Sequence, residues 1–538
     1  MGSFDYVIVG AGSAGCVLAN RLSADADKRV LLLEAGGSDN WIWFHIPIGY
    51  LYAMGNPRAD WCWRTRAEPG LNGRDLAYPR GKVLGGCSAI NGMIYMRGQA
   101  QDYDSWRQAG NVGWGWDDVV PYFKASEDYA HGADDLHGTG GPLRVEESRV
   151  RWKILDVFAN AVAEQGLPKL ADFNCGDNEG VSYFQVNQRA GVRWSCARGF
   201  LRPVAKRANL RVLTHALAER IELADGRPVA LIASVNGARQ RIVIEGELIL
   251  SSGAIGSPVL LERSGIGQPD VLTNHGIETQ HALAGIGENL QDHLQLRMIY
   301  KVQGIETLNE IGRGMLGKAR IAVQYAMTRS GPMSMAPSQL GVFARSSSAY
   351  DRANLEYHVQ PLSLDTFGDP LHDFPAFTAS VCNLRPVSRG HVHLSGTAVT
   401  DQPEIAPNYL QAPEDRAVAA DALRLTRRIV LHSKTFAPYR PSEYKPGLGA
   451  DDDDSLAHAA GDIGTTIFHP VGTCKMGPAS DQQAVVDDRL RVHGLRRLRV
   501  VDASIMPTIT SGNTNAPVVM IAEKAAAMIR EDARSGQT

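Results

Sequence analysis

The sequence predicts an α/β protein, α+β overall, with a nucleotide-type parallel sheet in one part and alternating, half-buried strands in another. Three observations predict it. The 538 residues exceed the usual reach of one hydrophobic core, so two domains are expected. A strand, a glycine turn, a helix, a second strand and an acid follow one another at the start of the chain. Far downstream, Leu355 to Gln360 partly alternates and His391 to Leu394 alternates clearly between apolar and polar residues.

The first strand begins at Phe4 and includes the apolar, β-branched run Tyr6-Val7-Ile8-Val9. Gly10-Ala11-Gly12-Ser13-Ala14-Gly15 follows at once, and Ala14, Val17, Leu18 and Leu22 then mark one apolar helix face. A second strand from Val30 to Leu33 ends in Glu34 and Ala35. This order defines a βαβ dinucleotide site. Glycines permit a tight turn and close approach to a pyrophosphate at the positive helix end, and Glu34 can accept hydrogen bonds from a ribose. A second small-residue loop runs from Gly81 to Met93, where backbone amides can approach a phosphate or ring.

Composition narrows the field. A net charge of −3 gives nucleic-acid binding no support, and short basic clusters such as Arg496-Arg497-Leu498-Arg499 read as solvated. The seven cysteines have no paired spacing, which suits a reducing compartment and offers no zinc site. His391 and His393 lack a third ligand, so no metal centre is expected there. Asp451 to Asp454 reads as a solvated helix start. No apolar run reaches the ~18 residues of a membrane span and no leader peptide is recognised. A cytoplasmic protein is expected, with peripheral attachment at the inner membrane face left open.

Two late loops carry the chemistry. Thr466-Ile467-Phe468-His469-Pro470-Val471-Gly472-Thr473 holds a histidine before a proline, and Ser511-Gly512-Asn513-Thr514-Asn515-Ala516-Pro517 supplies an amide partner. A neutral imidazole can take a proton from a substrate hydroxyl, which makes His469 the candidate base and Asn513 the residue that orients the oxygen. Asn515 reads as an N-cap and Pro517 as a first-turn residue of a helix whose apolar face includes Val518, Ile521, Ala522, Ala525, Met528 and Ile529. A frayed tail is expected from Ala533. Phe468 precedes the base, and Trp41, Trp43, Phe44, Trp61 and Trp63 are candidates for an apolar lid. Met333, Met335 and Phe343 are further pocket candidates, and Gln360 joins Met335 and Phe468 as an expected substrate contact.

On these motifs the chain resembles the glucose-methanol-choline (GMC) oxidoreductases, FAD-dependent alcohol dehydrogenases and oxidases. Gly81 to Met93 resembles the family's first signature, with Cys87 where Ser, Gly or Thr is usual, and Gly253 to Gly267 matches the second. Gly287-Glu288-Asn289-Leu290-Gln291-Asp292-His293 is a further landmark. The resemblance implies an FAD domain assembled from separated segments, mainly 1–298 and 466–538, with substrate-domain segments within about 150–200. Residues 299–465 would mainly bind substrate through an antiparallel sheet and flanking helices. Strand-like runs at Leu248-Ile249-Leu250 and Leu498-Arg499-Val500-Val501 fit that division.

The resemblance further implies FAD contacts from Gly10, Gly12, Ser13, Ala14, Gly15, Glu34 and Ala35, from Gly81, Gly86, Ser88, Asn91 and Gly92, and from Ala218, Asp502, Ala503, Asn515 and Pro517. Ile90 stands where some relatives carry a histidine linked to flavin, so non-covalent FAD is expected. The reading is oxidation of a primary alcohol to an aldehyde by hydride transfer to flavin N5, with His469 as base. Electrons would pass to a quinone, an artificial dye or oxygen. The helix beginning near Asn515 would favour the reduced flavin by about 0.3–2 kcal/mol. An oxygen-using oxidase and a flavin-containing hydroxynitrile lyase are the alternatives. An inert FAD-binding protein and NAD-dependent catalysis fit less well, because His469 and Asn513 are both present and no second nucleotide fingerprint is found.

Overall fold

The computed structural model describes residues 3–366 and 368–536. Two seven-stranded sheets organise it. In the first, strand Phe4–Val9 lies between Val30–Leu33 and the end of Ala238–Leu250, all parallel, with Val7 opposite Leu31 on one side and Leu248 on the other. Leu210–Leu213 extends the parallel part beyond Val30–Leu33, and Leu498–Val500 pairs with the far side of Ala238–Leu250. Val7, Ile8, Leu31, Leu32, Leu248 and Ile249 are buried, as expected of parallel strands covered on both faces. The first half of Ala238–Leu250 instead pairs antiparallel with Arg227–Val235, which continues into Ala216–Ala224.

The second sheet is antiparallel, in the order Ser442–Lys445, Leu294–Lys301, Ala376–Asn383, Leu355–Gln360, Leu340–Ala344, Gly180–Tyr183, with Gly464–Thr466 also paired to Leu294–Lys301. Strand Leu294–Lys301 crosses the division expected at residue 298, and Gly180–Tyr183 joins this sheet from the early block. One face packs Leu296, Met298, Leu355, Tyr357, Val359 and Val381 in a core with helices Lys153–Glu164, Pro413–Leu431 and Asp453–Ile463. The opposite face carries Gln295, Arg297, Glu356, His358, Gln360 and Ser380, and these are buried as well. Leu355–Gln360 is therefore covered on both sides, where the sequence suggested a half-buried strand. Alternation reports which face is apolar, and a polar face can still be covered by protein.

Several local expectations hold. Helix Ser13–Leu22 follows the glycine turn, and Asp452 caps Asp453–Ile463 by accepting from the Ser455 amide at 2.9 Å. The C-terminal helix, Asn515–Ser535, differs in two respects. Thr514 is its N-cap, leaving Asn515 as the first helical residue, and the helix continues past Ala533 to end at Gly536 with φ 69°. That left-handed terminus suits glycine. His391–His393 pairs with Glu404–Ala406 in a separate two-stranded sheet. His391 meets Glu404, and His393 lies between Glu262 and Glu288.

Candidate active site

A cavity of about 650 Å³ lies between the carboxyl ends of the parallel strands and the polar face of the antiparallel sheet. On the first side the backbone makes the wall. Gly10 has φ 99°, and a Cβ there would come within 2.5 Å of the Ser251 carbonyl oxygen. A Cβ on Gly86 would stand 2.7 Å from Gly12 Cα, whereas one on Gly12 would meet only the Ser251 oxygen at 3.9 Å. Gly12 and Gly86 thus bring two backbones together at the cavity wall. Ser13 Oγ donates to Asn515 Oδ1 at 2.7 Å, tying the starts of the first and last helices side by side. Their positive ends converge on one place.

Gly10, Gly12, Ser13, Ala14, Glu34, Ala35, Gly81, Gly86, Asn91, Gly92, Ala218, Asp502, Ala503 and Asn515 all line this cavity. Gly15, Ser88 and Pro517 stand behind the wall. A Cβ on Gly15 would lie 1.9 Å from the Gly10 oxygen, so its glycine serves helix-to-strand packing. Ser88 Oγ donates to the Gly85 carbonyl at 2.6 Å and accepts from the Cys196 amide at 2.9 Å. Pro517 occupies the first turn of the last helix. Asp502 reaches the wall, yet its carboxylate is taken up by the Gly253 amide, Ser257 and Ser504, so it holds helix Gly253–Arg263 in place. Glu34 accepts from the Ala11 amide at 3.0 Å and the Gly36 amide at 2.9 Å. Burial pushes its carboxyl up to about 7.

On the second side, side chains make the wall. Asp292 fixes the histidine loop: one oxygen accepts from the His469 amide at 2.8 Å, the other from Tyr78 at 2.8 Å, Thr466 at 2.6 Å and Tyr409. Phe468 sits at φ 71°, its amide bonded to Thr466 Oγ1 and its carbonyl accepting from Arg80 at 2.8 Å. His469 is buried, with Nε2 3.1 Å from Asn513 Nδ2 and Nδ1 3.1 Å from His293 Nδ1.

The carbonyl of Leu384 can only accept, so His293 bears its hydrogen on Nε2, 3.1 Å from that oxygen. Burial holds His293 below its ordinary value, leaving Nδ1 as an acceptor for His469 Nδ1–H. Nε2 of His469 is then the bare nitrogen, and the Asn513 amide donates to it. Burial first, then His293, His358 and Arg80, hold the His469 imidazole well below its ordinary pKa. Asn513 Oδ1 is buried without a hydrogen-bond partner.

Phe468 and Gln360 line the cavity as expected; Met335 does not. Met335 packs into the core beneath the antiparallel sheet, and Pro337 and Ser338 take the wall instead. Phe343 is also in a core cluster. Of the tryptophans, Trp61 and Trp63 line the cavity and stack at 5.0 Å, while Trp43 stacks on Tyr52 and Trp41 meets Phe44 edge-on. Tyr50, Arg80, Gln295 and His358, which no motif marks in the sequence, also line it. His358 Nε2 lies 3.3 Å from Glu356, with Cys382 beside them. The signal for His358 was its place between Glu356 and Gln360 on one face of strand Leu355–Gln360.

The glycine cradle, the paired helix ends, the acid at the end of the second strand and the unpartnered Asn513 oxygen fit FAD. Fold and site together define a flavin-dependent oxidoreductase acting on CH–OH groups. The chain belongs to the GMC oxidoreductase family, whose N- and C-terminal models match residues 4–295 and 386–522. It is 40% identical to alcohol dehydrogenase [acceptor] of Pseudomonas putida over 98% of this chain and 95% of that one. It is 38% identical to mitochondrial choline dehydrogenase of Homo sapiens over 98% and 90% of the two chains. Among solved structures it resembles pyridoxine 4-oxidase from Mesorbium loti, with a TM-score of 0.89, 34% identity and coverage of 98% and 99%.

Proposed function

We propose that the protein oxidises an uncharged primary alcohol to the aldehyde, with His469 as base and Asn513 as the residue that positions the oxygen. Bound FAD supplies the hydride acceptor. The observation that carries the reading is the His469 Nε2 to Asn513 Nδ2 contact of 3.1 Å at the cavity wall. An entering hydroxyl takes the place of the amide hydrogen at Nε2 and gives that nitrogen its proton. The freed Asn513 amide donates to the substrate oxygen as negative charge develops there. Asp292 keeps the imidazole in place through the backbone, and His293 keeps its tautomer. Residues 299–465 are assigned mainly to substrate binding, with the remainder mainly holding FAD. Ile90 offers no nucleophile to the cofactor, which supports non-covalent FAD.

Charge on the walls supports an uncharged substrate. Tyr50 faces the cavity within electrostatic reach of buried Arg193 and Arg297, and Arg80 is beside Phe468. Burial pushes the two guanidinium groups down to about 9 and about 10, so both remain protonated at neutral pH. Among the described residues, the carboxylates lining the cavity are Glu34, Asp401 and Asp502. Glu34 and Asp502 serve the nucleotide side, and Asp401 acts on Arg263 of helix Gly253–Arg263. A quaternary ammonium would add a cation where cations already gather. The unpaired cysteines support a cytoplasmic location, and a quinone or similar carrier is the proposed electron acceptor.

An anaerobic alcohol panel tests this by bleaching of the flavin band, followed by reoxidation with a quinone analogue or with oxygen. Uncharged primary alcohols should bleach it and choline should not. His469→Ala should slow bleaching by at least ~100-fold with FAD retained. Near-normal reduction in that variant would sink the assignment; cyanide release from a cyanohydrin without bleaching would favour the lyase.

A further inference from the structure

Helix Gly314–Thr328 stands out from the body, and Tyr325 is its only buried residue. Tyr325 OH donates to the Gly191 carbonyl at 2.9 Å and anchors the inner face. The outer face is apolar: Met315, Leu316, Val323 and Met327 are 87%, 89%, 58% and 80% exposed. At about 100° per residue, Ala322, Met315, Ala326, Ala319, Val323, Leu316 and Met327 fall in that order around one unbroken arc of roughly 140°. Lys318 and Arg320 border the arc on either side, and Arg313 and Arg329 flank the helix ends. From Ile311 to Gly331 there are these four cations and no Asp or Glu, within a chain of net charge −3.

A contiguous apolar face of this kind is unusual on a soluble surface without a partner. A second copy is a poor partner, because face-to-face pairing would bring two cationic rims together. Spanning a bilayer is also ruled out for this helix: fifteen residues reach only about 22 Å, and no helix among the described residues is long and apolar enough to cross. An apolar arc edged by Lys and Arg suits the boundary between anionic headgroups and acyl chains.

The neighbouring segments place this face beside the cavity. The helix packs on the turn Pro332–Ser334, which leads into Pro337 and Ser338 of the cavity wall. The same turn packs on Pro47–Gly49, next to Tyr50 of the wall and to Leu51 and Tyr52, which are 42% and 49% exposed. We propose that helix Gly314–Thr328 docks the protein onto an anionic phospholipid surface, lying in its plane with the Met315–Met327 arc among the acyl chains. Docking sets the substrate end of the cavity beside a phase in which long alcohols and quinones dissolve. The proposal goes beyond the alcohol reading and is tested without turnover.

The FAD-loaded full-length protein is sedimented with vesicles of phosphatidylcholine alone or mixed with phosphatidylglycerol. Binding should require phosphatidylglycerol and weaken as salt rises. The double variants Leu316→Asp/Met327→Asp and Lys318→Glu/Arg320→Glu should each bind at least about tenfold more weakly, with unchanged FAD content per chain. Absence of binding to phosphatidylglycerol vesicles, or equal binding by wild type and both variants, overturns the proposal. So does light scattering that finds a dimer which Leu316→Asp/Met327→Asp splits, since the face would then join two copies.

Discussion

The two walls of the cavity are built from different materials. The nucleotide wall is mostly backbone: glycines at Gly10, Gly12 and Gly86 let main chains approach each other and the cavity. The substrate wall is mostly side chain: Gln295, His358, Gln360 and His469 come from strand positions and a loop that Asp292 holds in place. A backbone wall needs one residue type at fixed spacing, and an added Cβ at Gly10 or Gly86 would force the facing main chain away. A side-chain wall depends on which face of a strand turns inward, so its members are scattered along the sequence. Damage on the first side should therefore remove the cofactor, and damage on the second should leave the cofactor and slow the chemistry.

Gly10→Ala tests the first half of that contrast and carries the largest expected effect. The new Cβ would stand 2.5 Å from the Ser251 oxygen at a φ of 99°, so strand Phe4–Val9 and the Ser251 turn must separate. Strain of roughly 3 kcal/mol corresponds to FAD retention weakened by about 100-fold. Flavin absorbance per chain after gel filtration reads it directly. A fully yellow variant would show that the close approach is dispensable.

Asp292→Ala tests the second half. It leaves the His469 amide and the hydroxyls of Tyr78, Tyr409 and Thr466 without their shared acceptor. A stability loss of about 3 kcal/mol is expected, with flavin reduction slowed by roughly tenfold and FAD content unchanged. Denaturant unfolding and anaerobic stopped-flow measurements check the two effects separately. Unaltered reduction would mean that Pro470 and the Thr466 bonding suffice to hold the imidazole.

The same contrast governs what could be read beforehand. Strand Phe4–Val9, the glycine turn and helix Ser13–Leu22 were legible because they are local, and His469 and Asn513 because each lies in a continuous motif. His358 and Gln295 were not, since their membership depends on how strands 294–301 and 355–360 pair across the antiparallel sheet, and Tyr50 was not, since the short helix Tyr50–Ala53 carries no motif. Met335 shows the limit from the other side. Two residues' displacement along a turn sends it into the core and gives the wall to Pro337 and Ser338. Ser88 and Asp502 were found as motif members, but only the bonding pattern shows that their polar atoms are spent on other segments of the protein.

A third region tests whether the segment carrying His393 depends on charge for its attachment to the nucleotide side. His393 Nδ1 lies 2.6 Å from Glu262 of helix Gly253–Arg263, and its Nε2 lies 3.2 Å from Glu288. Burial opposes its charge, but the two carboxylates prevail and raise its pKa to about 9. A raised histidine stabilises the fold fully below its unfolded value near 6.5, and that contribution is lost as pH rises through about 9. The melting temperature should therefore decline between about pH 6.5 and 9, by a few degrees at most for one half-buried group in a chain of this size. His393→Gln should lower the melting temperature at pH 6.5 and flatten the decline. If the variant retains the full slope, the seam is held by the Leu394 amide, which donates to Glu262 at 2.8 Å, and not by the imidazolium.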